Sequence, residues 1–182
     1  FALLLLLGIS GGVWGQTAGF NNTFAILSIN GAANAYYDLN AGTPNTDFNG
    51  ANLGSFNPVS NSLTLKGAEH NVWKCNGCDL TSTRLNYRIY STTGTAGTFV
   101  QMNVPYTSTV ANGCGGADQV WSATGNSVNV LSGLAPDTYY LEVYSDATVT
   151  CTGGTVYATN GGANYKATFT VSSYVTTNSG SG

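Results

Sequence analysis

Short runs in which apolar and polar residues alternate recur between clusters of Gly, Asn and Pro, and no window past residue 15 holds a sustained apolar stripe at helical spacing. A period of two means strands, because successive strand side chains point to opposite faces. The expected strands cover residues 23–30, 35–39, 62–66, 71–74, 84–91, 98–104, 119–123, 127–131, 138–145, 155–158 and 165–172, with 42–54, 92–97 and 107–116 as loops. In the most regular strands the alternation assigns faces. Leu85, Tyr87 and Ile89 point to the core, as do Tyr139, Leu141 and Val143, and Tyr165, Ala167, Phe169 and Val171. The opposite faces carry Asn86, Arg88 and Tyr90, then Tyr140, Glu142 and Tyr144, then Lys166, Thr168 and Thr170. If the three strands are neighbours, Arg88, Glu142 and Lys166 lie among Tyr90, Tyr140 and Tyr144 on one outer surface, which is the candidate contact surface.

Residues 1–15 form an apolar run, Phe1-Ala-Leu-Leu-Leu-Leu-Leu7 onward, that ends in small residues and reads as the core and cleavage zone of an export signal. A mature start at Gln16 follows. The alternative is a retained apolar segment, which would need an apolar cover such as a neighbouring subunit. At about 14 residues the run falls short of the roughly 20 that span a bilayer, so no integral membrane span is expected. Residues 16–173 are long enough for one β-sandwich domain with a sizeable core. Residues 174–182 have lost all alternation and have the composition of a flexible linker.

Charged residues make up only 7% of the chain, against about a quarter in typical domains, so hydroxyl and amide groups must cover the surface. With five basic residues and a net charge of −3, there is no electrostatic footprint for nucleic acid and no polybasic membrane patch.

Cys75, Cys78, Cys114 and Cys151 form an even set in a chain marked for export, so disulfides are expected. Three pairings are possible. Spacing favours Cys75–Cys78, whose intervening Asn76-Gly77 is a turn dipeptide, together with Cys114–Cys151. A zinc site would need a second close ligand pair that the lone His70 does not supply, and a thioredoxin-like motif would need a βαβ setting.

The segment Leu131-Ser-Gly-Leu134-Ala-Pro136-Asp-Thr138-Tyr139 leads into the most regular strand. It resembles the corner entering strand F of immunoglobulin-like and fibronectin type III sandwiches, in which a Tyr packs inward and returns its hydroxyl to nearby backbone. Tyr139 would be that residue. The fold expected is an all-β, immunoglobulin-like antiparallel β-sandwich with additional strands and long Gly/Asn-rich loops.

Further segments carry a second likeness. Tyr36-Tyr37-Asp38-Leu39, Asp47-Phe48-Asn49-Gly50, Ser62-Leu63-Thr64-Leu65-Lys66-Gly67, Leu85-Asn86-Tyr87-Arg88-Ile89-Tyr90 and Asn164-Tyr165-Lys166-Ala167-Thr168-Phe169-Thr170-Val171 resemble a module of secreted and cell-surface proteins of Bacteroidota. Such modules often sit in surface proteins exported by the type IX route. The resemblance implies an extracellular or cell-surface location and brings no catalytic residues with it.

Enzyme signatures are weak. There is one His, no Gly-x-Ser-x-Gly elbow, no His-Glu-x-x-His and no phosphate-cradling loop, and the eight acids are scattered. No cofactor and no metal are expected. Asp38-Leu-Asn40 and Asp47-Phe-Asn49 could offer oxygens to calcium, but read better as Asx turns. His70 reads as a loop or strand-edge residue, and Trp73 and Trp121 as core. The function expected is a non-catalytic structural or adhesive module, a cell-surface or fibre subunit whose partners are other copies of itself or cell-surface proteins. The alternative is a carbohydrate-binding module that stacks sugars on exposed tyrosines.

Overall fold

A computed structural model of the chain describes residues 17–40, 42–75, 77–151 and 154–173. The expectations for residues 1–15 and for 174–182 lie outside the described residues. Among the described residues thirteen strands follow one another: β1 (Ala18–Ile29), β2 (Ala35–Asp38), β3 (Thr46–Asp47), β4 (Asn52–Phe56), β5 (Leu63–Lys74), β6 (Leu80–Ser91), β7 (Val100–Val104), β8 (Tyr106–Ala111), β9 (Ala117–Ala123), β10 (Val128–Asn129), β11 (Asp137–Val149), β12 (Thr155–Ala158) and β13 (Tyr165–Val171). The only helical element among the described residues is a 3-10 turn at Asn160–Gly162. No helix there is long and apolar enough to cross a membrane.

Two sheets face each other. One runs β3-β2-β1-β5-β9-β8, with β10 continuing the line of β9 along β5; the other runs β4-β13-β11-β6-β7, with β12 continuing the line of β13 along β11. If β1, β5, β9 and β8 are labelled A, B, E and D, and β13, β11, β6 and β7 are labelled G, F, C and C′, this is the strand order of an immunoglobulin sandwich. Strands β2, β3 and β4 are additions. Two of the added contacts are parallel, β2 with β3 and β4 with β13, so both sheets are mixed beside their antiparallel ladders.

The inward residues of both sheets interdigitate as one core, with Leu27, Leu63, Leu65, Leu85, Leu141 and Phe169 wholly buried. Tyr139 is part of it. Its ring stacks on Phe169 at 5.6 Å and its hydroxyl donates to the Ala135 carbonyl at 2.8 Å, which is the corner geometry that the Leu-Pro-Tyr spacing points to.

The segments 62–66 and 71–74 are one strand, β5, interrupted by a bulge at Gly67. There φ is +141°, and a Cβ would lie 1.9 Å from the Ala123 carbonyl oxygen. The bulge also flips the parity of burial: Leu63 and Leu65 face inward before it, Ala68, His70 and Val72 after it. His70 is therefore not a loop or strand-edge residue; it is fully buried in mid-strand.

The favoured disulfide pairing is also corrected. Cys75 bonds Cys114 and Cys78 bonds Cys151, with Cα atoms 5.2 and 4.9 Å apart. The reason lies in the sheets. Cys75 follows β5 and meets the β8–β9 loop of its own sheet, whereas Cys78 precedes β6 and meets the loop after β11 in the other sheet. Neighbours in sequence, the two thiols belong to opposite layers. Three loops at one end of the sandwich are thereby tied together, and the two bonds fit an oxidising compartment.

Candidate functional site

The outer face of the six-stranded sheet brings the sequence-selected residues together. Register pairing puts Glu142 opposite Arg88 on one side and Lys166 on the other, and Tyr140 opposite Tyr90. Glu142 is a polar position by strand parity, yet its side chain is only 1% exposed. Arg88 donates to it twice, Nε to Oε2 at 3.1 Å and Nη2 to Oε1 at 2.8 Å. The Tyr90 hydroxyl donates to Oε2 at 2.6 Å, and Asn164 Nδ2, from the turn before β13, to Oε1 at 2.7 Å. A bidentate guanidinium with two further donors leaves the carboxylate satisfied. Burial alone would raise its pKa; the Arg88, Tyr90 and Asn164 hydrogen bonds outweigh that and hold it below the usual carboxylate range. Burial, followed by the bond to Glu142, pushes the Tyr90 phenol up to about 12.

What buries this face is the connection between β6 and β7. The Phe99 ring centroid lies 4.2 Å from the Arg88 guanidinium carbon and meets Tyr144 edge-on at 4.8 Å, while Gly97 accepts a bond from Arg88 Nη1 at 3.1 Å. Four residues along the same strands a second pair repeats the arrangement. Arg84 Nε and Nη2 donate to Asp146 Oδ1 at 2.9 and 2.8 Å, and Asn86 Nδ2 donates to Oδ2 at 2.6 Å. Asp146 is buried as well.

Tyr90, Tyr140 and Tyr144 are all half-buried. Tyr90 and Tyr140 pack at 5.6 Å in a tilted pair, and Lys166 Nζ lies 6.0 Å from the Tyr140 ring. Parity correctly groups these side chains on one face. It gives no sign that Phe99 and Asn164 close over them, since both come from connections whose path no periodicity records.

The remaining candidates are dispersed. Trp121 is buried, with Nε1 donating to Gln119 Oε1 at 3.1 Å; Trp73 is half-buried and lies over Gly19, where a Cβ would come within 2.8 Å of the indole nitrogen. In the two calcium-like loops the Asp38, Asn40 and Asn49 oxygens are occupied internally, and Asp47 is exposed. Asp38 accepts from the Thr43 hydroxyl and amide, Asn40 Oδ1 accepts from Thr23 Oγ1 at 2.6 Å, and Asn49 Oδ1 accepts from the Lys166 amide at 3.1 Å. The Asp38–Thr43 contact is local to its loop, whereas Asn40 and Asn49 fasten their loops to β1 and β13.

His70 is a site that the sequence reading missed. Its ring bridges the two sheets, with Nδ1 3.1 Å from Thr83 Oγ1 and Nε2 2.9 Å from Ser145 Oγ, and burial lowers its pKa to about 3. The available signal was the glycine at position 67, which resets parity. No family model matches this chain, nor does any curated protein or solved structure.

Proposed function

We propose that the chain is a non-catalytic extracellular structural or adhesive module, a cell-surface or fibre subunit that works in series with its neighbours. One observation carries this reading: the domain's two ends lie at opposite poles of the sandwich. β1 begins opposite Lys74, beside the disulfide-tied loops, where the Thr17 carbonyl accepts from the Cys75 amide at 2.9 Å. β13 ends opposite Asp137, at the start of β11 and the Tyr139 corner. A chain that enters one pole and leaves the other suits end-to-end placement. The eleven paired residues between β1 and β5 would carry a load along the strands, across many hydrogen bonds at once. The likeness to surface modules of Bacteroidota supports the same location.

Glycan stacking has less support, because the Tyr90 hydroxyl is engaged by Glu142 and the Tyr144 ring is met by Phe99.

The test is immunogold labelling of intact cells, joined to thiol alkylation of the protein as isolated. Label on the surface or along filaments, with no alkylated cysteine, is the expected result. Label confined to the interior of permeabilised cells, with alkylated thiols, would overturn the reading.

A further inference from the structure

The four outer edges of the two sheets are not equally protected. On one flank, β3 is two residues long and carries Asp47, while β4 contains Gly54 at φ +114° and a register shift against β13. Short, charged or kinked edges discourage pairing with other chains. On the opposite flank β7 and β8 are the outermost strands of their sheets, joined only by Pro105. Residues 98–112 carry no charged side chain at all. Every residue of β8 is exposed, and of the five exposed large apolar side chains among the described residues three lie here: Val100, Tyr106 and Val110, each about half-exposed. A register shift between Tyr106 and Ser108 bends the start of β8, leaving residues 108–111 as a regular ladder.

We infer that the β7–β8 flank pairs with the same flank of a second copy, β8 running antiparallel to its counterpart about a two-fold axis. This rests on the assembling-subunit reading above and adds a lateral contact, between neighbouring series, to its end-to-end placement. An open backbone edge takes an extended strand. The neutrality of the flank selects the copy over a foreign partner: it offers no charge by which a different chain would be recognised, and like meets like without repulsion. Self-pairing sets Thr, Ser and Val against one another, combinations that pair well across strands, and a two-fold contact closes on itself. At about 3.3 Å per residue β8 is roughly 20 Å long, beside sheets about 10 Å apart. That is less than the roughly 800 Å² per partner of a standard interface, so the pairing is reversible and gains strength where modules are arrayed.

Sedimentation velocity of the purified full chain, from micromolar to near-millimolar concentration, should show a monomer–dimer equilibrium. Val110→Lys and Val100→Lys each place an ammonium on an open edge and should weaken it at least about tenfold. Val110→Thr, and Val59→Lys beyond the opposite edge, should leave it unchanged, and all four should melt as the wild type does. A wild-type dimer indifferent to both edge lysines would overturn the flank contact and leave self-association standing. A wild type that stays monomeric throughout would overturn both.

Discussion

His70 Nε2 and Ser145 Oγ stand 2.9 Å apart across the sandwich, on the two strands, β5 and β11, that hold the inter-sheet disulfide in antibody domains. Counted from the corner tyrosine, the disulfide position on β11 is Leu141, so the His70 bond joins the same two strands four residues farther along β11. Thr83 Oγ1 gives its proton to the Val104 carbonyl at 3.2 Å and so accepts from His70 Nδ1–H, which leaves Nε2 to accept from the Ser145 hydroxyl. The ring is thus neutral and held at both nitrogens.

Acid should weaken this pin. The unfolded chain takes a proton at His70 near pH 6.5, while the folded chain resists until about pH 3. Between those values the unfolded state binds more protons, so stability falls with pH, approaching about 1.4 kcal/mol per unit from this group, and the effect ends below about pH 3. Urea unfolding from pH 7 down to pH 5, above the carboxylate range, should show the decline, and His70→Gln should flatten it. Equal slopes in the two proteins would refute this role.

Glu142→Gln should destabilise the fold by about 3 kcal/mol, because it leaves the Arg88 guanidinium without its buried counter-charge. The double change Arg88→Met with Glu142→Leu should cost less than the sum of its parts. Chemical denaturation of the four proteins in that cycle gives the coupling; strict additivity would show that the pair is not a unit.

The disulfide pairing can be read directly. Hydroxylamine cleaves Asn–Gly bonds, and cleavage between Asn76 and Gly77 separates Cys75 from Cys78. Non-reducing digestion followed by mass spectrometry should then find Cys75 joined to Cys114 and Cys78 to Cys151. Replacing Cys78 and Cys151 by Ala opens a loop of 73 residues and should cost about 4 kcal/mol.

Gly67→Ala should cost about 2 kcal/mol or more, since its Cβ would meet the Ala123 carbonyl and its φ of +141° is one that L residues rarely adopt. Gly125→Ala, where a Cβ meets open space, serves as the reference and should melt within a degree or two of the wild type. Similar melting of the two variants would mean that the bulge does not depend on glycine.

Large apolar residues set against polar ones made β6, β11 and β13 legible, and with them the grouping of Arg88, Glu142 and Lys166. β8 was not legible, because Tyr106-Thr-Ser-Thr-Val-Ala111 is exposed throughout and has no buried side to mark a period. β3 and β4 were hidden in Gly- and Asn-rich sequence because pairing with β2 and β13, not propensity, makes them strands. Sequence proximity misdirected the cysteine pairing, which depends on the layer to which each thiol belongs. At the candidate site, face was legible and depth was not: nothing in the spacing of β11 says that Phe99 and Asn164 will cover Glu142.

The cross-links also limit how far the molecule can be drawn out. Between the two poles the shortest covalent route runs from Cys75 to Cys78 and across to Cys151, bypassing the chain between the last two, a sequence separation of 73. At about 3.5 Å per extended residue, some 250 Å of contour is withheld. A subunit overstretched until its sheets part would lengthen only through its outer segments and then stop, ready to refold around a middle that had never been unthreaded.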